Sequence, residues 1–538
     1  MQPYPQFLNP SRENTLVGKL GWGMTKQNQY DAIIIGSGFG GIGTALSLAE
    51  KGLKVALFES LRYPGGCAGT FTRRGYQFEA GATLSSGFSE QQLFGQWIKK
   101  FELDIELEWL KPVIHFRSSE INLDIPSNKD EFIDSLCALP NAPQEGIREF
   151  FRHQSKVANS LWALFDQPEL LPPWHTGSLL KHALRLPDYL PVFRNMNRSL
   201  TQVLERYGIQ DFKPLKVYLD ALCQITVQCN ADQAEAPFAL STMDYYYRGT
   251  AHVIGGMGKL ANELCRAITM CGGDVHLANR VKGITKLNNS YEIQTRKGTY
   301  QCKYLISNLL PEQTKELSQS PLAWPKWIDP LQKQVGEGWG AAMLYMVAET
   351  PPNSVGTAEH WQMVHSINEP FMEGNHIFCS TSSLQENDRA PFGSQTMTVS
   401  THIPMKKFLN IPDDQKGAYM NQVHSRMRET LQLRCPEWSE RVYFAMTASP
   451  RTFERFTSRS QGLVGGIPKT KGWRHYTQLA PKKVAPRFYL VGDSVFPGQS
   501  TLATATGGQR VAECIMRTER KYNPLNLELN PKQTSSAI

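Results

Sequence analysis

The stretch DAIIIGSGFGGIGTALSLAEKGLKVALFE, residues 31–59, decides the fold of this chain. A short apolar run leads into three glycines in the spacing Gly36-x-Gly38-x-x-Gly41, and a segment of helical periodicity then leads to a second apolar run. This order predicts a βαβ unit that binds a dinucleotide. Gly36 allows the tight turn, Gly38 lets the backbone approach a pyrophosphate, and Gly41 lets helix and strand pack closely.

An acidic residue closes the unit at the position where a ribose is recognised. Glu59 lies 21 residues beyond Gly38. An acid at an offset of about 20 residues accepts a ribose hydroxyl and repels a 2′-phosphate. For the glycines alone, an ordinary βα turn is the alternative. The agreement of strand, glycines, helix, second strand and acid favours the dinucleotide site.

Further segments carry a resemblance to a known family. They read PGGCAGTF at residues 64–71, RGYQFEAG at 74–81, GGMGKL at 255–260 and FYLVGDSVFPGQ at 488–499. In this order they resemble the phytoene desaturase and carotenoid isomerase family of FAD-dependent oxidoreductases, which includes retinol saturases and is related to amine oxidases. The resemblance covers residues 30–517 and implies FAD as the cofactor.

The resemblance implies an α/β fold. A Rossmann-like FAD-binding domain of the glutathione-reductase or amine-oxidase type is expected to interleave with a mixed-sheet substrate domain and a helical lid. We expect a flexible N-terminus over residues 1–29 and a flexible tail over residues 518–538. The remaining boundaries are residues 30–105, 250–311 and 486–517 for the FAD-binding domain, and 106–249 and 312–485 for the substrate-binding domain.

The family's cofactor contacts can be carried over to this sequence position by position. The resemblance implies that FAD is held by Gly36, Gly38, Gly41, Glu59, Gly65, Gly66, Val281, Gly492 and Asp493. The first three glycines are expected at the pyrophosphate and Glu59 at the adenosine ribose. Val281 is expected to contact adenine through its backbone, and Asp493 to contact the ribityl or phosphate region.

The resemblance also implies a substrate, a carotenoid or related polyene that is desaturated or isomerised between cis and trans forms. Saturation of a double bond, as in retinol saturases, is an alternative outcome of the same site. An amine oxidase and a non-catalytic prenyl-lipid escort are alternatives from other classes. The FPGQ segment argues against the amine oxidase, and the intact glycines and Glu59 argue against the escort. Residues 498–508, GQSTLATATGG, depart from the family's GQG and Val-Pro, so the exact reaction stays open.

No catalytic side chain is assigned. A flavin takes hydride directly, and the protein's share is to position the reacting bond and to exclude water. The chain shows no catalytic triad and no carboxylate pair with the spacing of an acid/base site. Its histidines show no metal-binding pattern such as HExxH, so no metal site is predicted.

Composition narrows the class of protein. With 538 residues, 41% of them apolar and 10% aromatic, the chain is expected to be globular and to have more than one domain. Its ten cysteines include no CxxC pair, which favours reduced thiols over a disulfide framework. The net charge of +8 favours an anionic surface as partner. Nucleic acid is not indicated, because no basic run or binding motif is present.

Residues 145–240 are predicted to be mostly helical, with breaks at prolines, and to include a candidate membrane-associating part. Leucines and aromatic residues alternate there with basic ones. Between residues 181 and 198 the basic residues are Lys181, Arg185, Arg194 and Arg198, and the only acidic residue is Asp188. This mixture suits a helix at a bilayer interface, and a core-packed lid is the alternative. No apolar run reaches the length of a spanning helix. We expect peripheral attachment on the cytoplasmic side of a membrane, with quinone or oxygen as electron acceptor.

Overall fold

The computed structural model describes residues 28–167, 170–319 and 322–522. The expectations for most of the N-terminus, residues 1–27, and for the tail over residues 523–538 lie outside the described residues. The last helix continues to Tyr522, so the boundary predicted at residue 517 falls inside a helix.

The strands form two large sheets and two short pairs. In chain order they are β1 (Gln29–Ile35), β2 (Val55–Phe58), β3 (Thr70–Arg73), β4 (Tyr76–Glu79), β5 (Leu107–Glu108), β6 (Ile114–Arg117), β7 (Asn122–Ile125), β8 (His252–Val253), β9 (Asp274–His276), β10 (Val281–Lys286), β11 (Tyr291–Thr295), β12 (Thr299–Ser307), β13 (Trp339–Glu349), β14 (His360–Val364), β15 (His376–Thr381), β16 (Ser394–Pro404), β17 (Val442–Ala448), β18 (Lys482–Ala485) and β19 (Phe488–Leu490).

Helices cover both sheets. They are α1 (Phe39–Ala49), α2 (Leu93–Lys100), α3 (Lys129–Cys137), α4 (Gln144–Phe165), α5 (Thr176–Leu184), α6 (Leu186–Asn195), α7 (Leu200–Leu204), α8 (Lys213–Thr226), α9 (Ala236–Thr242), α10 (Gly256–Met270), α11 (Pro311–Glu316), α12 (Ile328–Gly336), α13 (Met405–Asn410), α14 (Lys416–Arg434), α15 (Pro436–Ser439), α16 (Pro450–Thr457) and α17 (Thr501–Tyr522).

The first sheet is the predicted nucleotide-binding unit. Its order is β10-β11-β12-β1-β2-β9, and β19 pairs with β12 and with β18. β1 runs parallel to both β2 and β12. Ala32 and Ile34 pack into one apolar cluster and Ile33 and Ile35 into another, so β1 is buried on both faces. That burial explains why it reads as a continuous apolar run.

Two glycines let α1 and α17 pack at backbone distance. A Cβ atom on Gly43 would lie 2.6 Å from the Ala505 carbonyl oxygen, and one on Gly508 would lie 2.3 Å from the Gly40 carbonyl oxygen. Any side chain would therefore push the helices apart. This contact fixes the C-terminal helix beside the N-terminal glycine turn.

The second sheet is mixed and has the order β17-β13-β16-β15-β14-β6-β7. β14 and β6 are parallel, whereas the other neighbouring strands are antiparallel. Its strands β13 and β16 have 11 residues each. Helices α4, α8 and α9 pack with β6 and β7 in a separate apolar cluster.

Helices α4 to α9 form the helical region that was predicted over residues 145–240, near the second sheet. Pro187 starts α6, as expected, but Pro191 lies inside it, so the break predicted there is wrong. The free-energy cost of Pro191 inside the helix is limited, because the proline removes only one N–H donor and α6 is short and largely exposed. Within the described ranges, no helix combines the length and the apolar character needed to cross a membrane.

Candidate functional site

The carboxyl ends of four parallel strands meet at one edge of the first sheet. Gly36 follows β1, Glu59 follows β2, Asn308 follows β12 and Gly492 follows β19. These strands pair in parallel, β2 with β1, β1 with β12 and β12 with β19. Ligands of open α/β sheets bind outside such carboxyl ends. The topology thus brings together residues that are far apart in sequence.

Two glycine-rich turns lie side by side at the N-terminus of α1. The Gly65 N–H donates to the Ser37 carbonyl at 2.9 Å. Gly36, Gly65 and Gly66 have φ angles of +96°, +106° and +60°, which favour glycine. The N-cap residue, Gly38, has no side chain to accept from the first N–H groups of α1. Those groups are therefore available to an anion such as a pyrophosphate.

Gly41 has a different place from the one that the resemblance implied. It does not line the cavity at this edge. A Cβ atom there would lie 2.0 Å from the Gly36 carbonyl oxygen. Gly41 therefore lets α1 pack closely against the end of β1, as its position in the motif predicted.

Asn308 fills the space that three glycines leave open. A Cβ atom on Gly38 would lie 2.7 Å from Nδ2 of Asn308. A Cβ atom on Gly40 would lie 2.7 Å from Oδ1 of Asn308, and one on Gly492 would lie 2.8 Å from the same oxygen. Asn308 also lines the cavity. The sequence reasoning missed this residue. The available signal was an amide side chain two residues after the short apolar run Leu305-Ile306.

Glu59 is held in place by four donors. Its Oε2 accepts from the Ser37 N–H at 2.9 Å and from the Ser37 hydroxyl at 2.8 Å. Its Oε1 accepts from the Leu61 N–H at 2.8 Å and from the Ser60 hydroxyl at 3.0 Å. A carboxylate has about four lone-pair sites, so a ribose bound at Glu59 would have to displace the two rotatable serine hydroxyls. The two backbone donors keep the carboxylate fixed on the cavity wall.

Asp493 is paired with Arg459, a residue that the sequence analysis did not single out. Nη2 of Arg459 donates to Oδ2 at 2.8 Å and to Oδ1 at 3.1 Å, and both side chains are less than one-fifth exposed. Burial alone would lower the pKa of Arg459, but the Asp493 carboxylate outweighs it and the pKa is raised. The pair therefore presents both charges to the cavity.

Cys67 lies near the Arg459–Asp493 pair. Burial raises the pKa of its thiol, although the Arg459 charge opposes that shift. A neutral thiol does not act as a redox nucleophile. This agrees with the sequence, in which position 72, where a disulfide reductase would carry a second cysteine, is Thr72.

One cavity of about 1100 Å³ is lined by Glu59, Cys67, Asn308, Arg459 and Asp493 and extends well beyond them. At one end, Phe58, Leu61, Val281, Leu309 and Leu317 form an apolar recess beside Glu59. Predicted residues on its wall are Gly36, Gly38, Glu59, Gly65, Gly66, Val281, Gly492 and Asp493. Eight of the nine predicted cofactor residues therefore share a single cavity.

The far half of the cavity runs between the second sheet and the helical region. Its wall is mostly apolar or aromatic and includes Trp162, Phe165, Trp174, Leu179, Leu186, Tyr189, Phe193, Ile225, Phe238, Tyr245, Tyr246, Met343, Phe378 and Phe496. Its polar residues include Gln228, Lys469 and Gln499. This half suits an elongated apolar molecule.

Glu79, in β4, does not line this cavity. It is buried and paired with Arg389 at 2.8 Å, and Arg389 also contacts Glu386 at 3.0 Å. His252 lies 3.0 Å from the second oxygen of Glu386. Burial raises the pKa of Glu79 against the opposing charge of Arg389. This network joins β4, β8 and the loop after β15, which is a structural role.

No group of three or more His, Cys, Asp or Glu side chains is placed to hold a metal ion in the part of the chain that the structure describes. The ten cysteines all carry free thiols.

Comparisons with known proteins match nearly the whole chain. A family model described as flavin containing amine oxidoreductase matches residues 39–516. The chloroplastic prolycopene isomerase of Arabidopsis thaliana is 27% identical over 527 residues, covering 94% of this chain and 86% of that protein. The neurosporene-forming phytoene desaturase of Rhodobacter capsulatus is 22% identical over 535 residues, covering 92% and 95% respectively.

The solved structure of an oxidoreductase from Methanosarcina mazei superposes with a TM-score of 0.58 at 17% identity, covering 90% of this chain and 99% of that chain. The predicted α/β fold of the amine-oxidase type is therefore confirmed. So are the resemblance to the carotenoid desaturase and isomerase enzymes and the expectation of FAD.

The residues at the strand ends fit FAD. The uncapped N-terminus of α1 suits a pyrophosphate, and the Glu59 carboxylate suits a ribose. The apolar recess that includes Val281 suits an adenine ring. The cavity then continues past Gly492 and Asp493 toward its apolar half, which leaves room for the flavin between nucleotide and substrate.

Proposed function

The chain belongs to the flavin-containing amine oxidoreductase family, and we propose that it is an FAD-dependent oxidoreductase that acts on a carotenoid or a related polyene. The cavity carries this proposal, because a single space joins the nucleotide-binding turn to a long apolar section. The wall of that section is mostly apolar or aromatic, which suits a hydrocarbon. The similarity to a prolycopene isomerase and to a phytoene desaturase supports the same substrate class.

Bound FAD supplies the capacity to accept or return a hydride. The protein positions the polyene and excludes water. Tyr245 is fixed for this role because its hydroxyl donates to the Leu84 carbonyl at 2.9 Å, leaving its ring toward the cavity. Phe165 and Phe496 also line the cavity, and their ring centroids stack at 6.1 Å. Such rigid rings can hold one segment of a conjugated chain in register.

An amine substrate fits this cavity less well. Lys469 lines the apolar half, and its charge would repel a protonated amine. A prenyl-lipid escort would not require the intact glycine turns and the four-donor support of Glu59. Desaturation, isomerisation and saturation use the same placement of polyene against flavin, so product analysis has to separate them.

Expression in cells that accumulate a defined cis or trans carotene tests the proposed function. We expect the pigments to change relative to cells that carry an empty vector. A longer chromophore indicates desaturation, a geometric change at constant mass indicates isomerisation, and a shorter chromophore indicates saturation. Unchanged pigments in cells that contain the flavin-loaded protein would contradict a carotene substrate.

We further propose that α5 and α6 dock on a membrane at the mouth of the cavity. Leu180, Leu184 and Leu186 are 66%, 77% and 59% exposed, which a core-packed lid does not explain. Leu186 and Phe193 also line the cavity, so the exposed surface and the apolar wall are continuous. The neighbouring basic residues complement the anionic lipids of a cytoplasmic leaflet. A polyene could then enter directly from lipid.

Vesicle co-sedimentation tests this docking. With phosphatidylserine-containing vesicles, Leu180→Ser with Leu184→Ser should weaken binding at least tenfold, because each buried leucine contributes up to about 1.5–3 kcal/mol. Leu433→Ser is the matched control, since Leu433 is 53% exposed on α14. Replacing Lys181, Arg185, Arg194 and Arg198 by Gln should remove the preference for anionic vesicles. Unchanged binding in both sets of variants would contradict the proposal.

The electron acceptor of a desaturation would reach the flavin through the same opening. Quinone dissolved in the bilayer and oxygen are the two proposed acceptors. Stopped-flow reoxidation of the reduced protein by each one distinguishes them, and reoxidation by neither would contradict both.

A further inference from the structure

Lys469 places an ammonium group on the cavity wall. Its Nζ lies 3.4 Å from the position that a Cβ atom would occupy on Gly498, and 5.8 Å from the ring centroid of Phe238. The backbone of Lys469 is anchored on both sides, because its N–H donates to the Val227 carbonyl and its carbonyl accepts from the Glu235 N–H, each at 2.9 Å. The side chain is therefore directed by a fixed backbone.

No carboxylate forms an ion pair with Lys469 among residues 28–167, 170–319 and 322–522. Burial, with a smaller contribution from Arg474, lowers the pKa of Lys469 to about 8. Burying a charge without a partner costs free energy, so a protein retains one where a ligand supplies the opposite charge. A hydrocarbon substrate cannot supply it.

The surroundings of Lys469 point to the cofactor. Gly498 and Gln499 lie in the turn between Asp493 and the start of α17, past the nucleotide-binding residues. The amide of Gln499 is already used, since its Nε2 donates to the carbonyls of Ile225 and Thr226. Its Oε1 accepts from Gln228. Lys469 is therefore a donor that this part of the wall still offers to a ligand.

We propose that Lys469 is the cationic partner of the pyrimidine edge of the flavin and that it raises the reduction potential of the bound FAD. Reduction by a hydride adds two electrons and one proton, and at neutral pH it leaves a negative charge on that edge. A fixed ammonium group stabilises the reduced form more than the oxidised form. This inference rests on the proposed path of FAD through the cavity but not on which polyene is the substrate.

Potentiometry of the flavin-loaded protein tests the proposal. Lys469→Met should lower the equilibrium constant for reduction at least tenfold, which is about 30 mV for a two-electron couple. Lys469→Arg should retain the wild-type value. The exposed Lys471, which lies two residues away, provides the matched control Lys471→Met. Sulfite adds to oxidised flavin and also places negative charge on the ring, so its dissociation constant should rise in Lys469→Met alone.

Each outcome decides the matter. An unchanged potential and sulfite affinity in a fully flavin-loaded Lys469→Met protein would overturn the proposal. Loss of flavin from Lys469→Met and Lys469→Gln with retention in Lys469→Arg would support a cationic contact. Loss from all three variants would assign Lys469 to folding and overturn it. If the wild type converts no polyene but Lys469→Met still lowers the reduction potential of the flavin, only the proposed substrate is contradicted.

Discussion

Glu59 offers a quantitative test of the nucleotide site, because each of its oxygens is held by one backbone N–H and one serine hydroxyl. In Glu59→Gln only one side-chain oxygen remains. Either the Ser37 N–H or the Leu61 N–H then faces an NH₂ group. An unpaired buried donor costs about 1–3 kcal/mol, so we expect the flavin-free variant to lose that amount of its free energy of unfolding.

The loss of FAD affinity can be worked out from the same geometry. A hydrogen bond to a charged group contributes about 1.5–3 kcal/mol and one between neutral groups about 0.5–1.5 kcal/mol. In Glu59→Gln two ribose hydroxyls would lose a charged acceptor, which weakens FAD binding by about 2 kcal/mol, or roughly a 30-fold rise in Kd. Titration of the flavin-free protein with FAD, followed by flavin fluorescence, measures this change.

The 2′-deoxyadenosine analogue of FAD isolates the ribose contact. The analogue should bind the wild type more weakly than FAD does, whereas Glu59→Gln should discriminate less between the two. Glu337→Gln, at an exposed position outside the cavity wall, is the matched control. An FAD affinity of Glu59→Gln equal to that of the wild type would refute the assignment of Glu59 to the ribose.

Three further predictions concern the surroundings of this site. In Gly508→Ala the new methyl group would meet the Gly40 carbonyl oxygen at 2.3 Å, so we expect a loss of about 1–3 kcal/mol of stability by thermal unfolding, together with loss of flavin; a stable, fully loaded variant would contradict the close packing of α1 and α17. Arg459→Met leaves the largely buried Asp493 without its ion-pair partner and should cost about 3–5 kcal/mol by denaturant unfolding, whereas Arg459→Lys should lose less; equal losses would argue against a charge effect. Burial lowers the pKa of His376 to about 3, so below pH 6.5 this histidine binds a proton in the unfolded chain before it does so in the folded protein. The free energy of unfolding should therefore fall toward pH 3 by about 1.4 kcal/mol per pH unit. In His376→Gln the free energy of unfolding should depend less steeply on pH, and parallel curves for variant and wild type would contradict the shift.

Local pattern was enough to predict the parts of the site that lie near one another in sequence. The strand, the glycine turn, α1 and Glu59 belong to one βαβ unit, whose spacing is set by backbone geometry. Motifs also located Gly492 and Asp493, because the short segment around them is distinctive.

Contacts that depend on the assembled fold could not be predicted in this way. Arg459 lies 34 residues from Asp493, in a loop without a periodic pattern, and only the fold brings the two together. In the sequence, Glu79 is an ordinary polar residue of a predicted strand. Its ion pair is with Arg389, which lies 310 residues later in the chain. The exposure of Leu180 and Leu184 likewise depends on how α5 packs, so the sequence left a membrane surface and a core-packed lid as alternatives.

The central claim is that a polyene bound in the apolar half of the cavity reacts with FAD held at the strand ends. Anaerobic incubation of the purified, flavin-loaded protein with a cis-carotene in liposomes tests it directly, with the flavin either oxidised or photoreduced and the products separated by chromatography. We predict conversion in at least one arm, desaturation with oxidised flavin or isomerisation with reduced flavin, and none with Glu59→Ala protein that lacks flavin. Unchanged carotene in both arms, with FAD fully bound, would contradict the account.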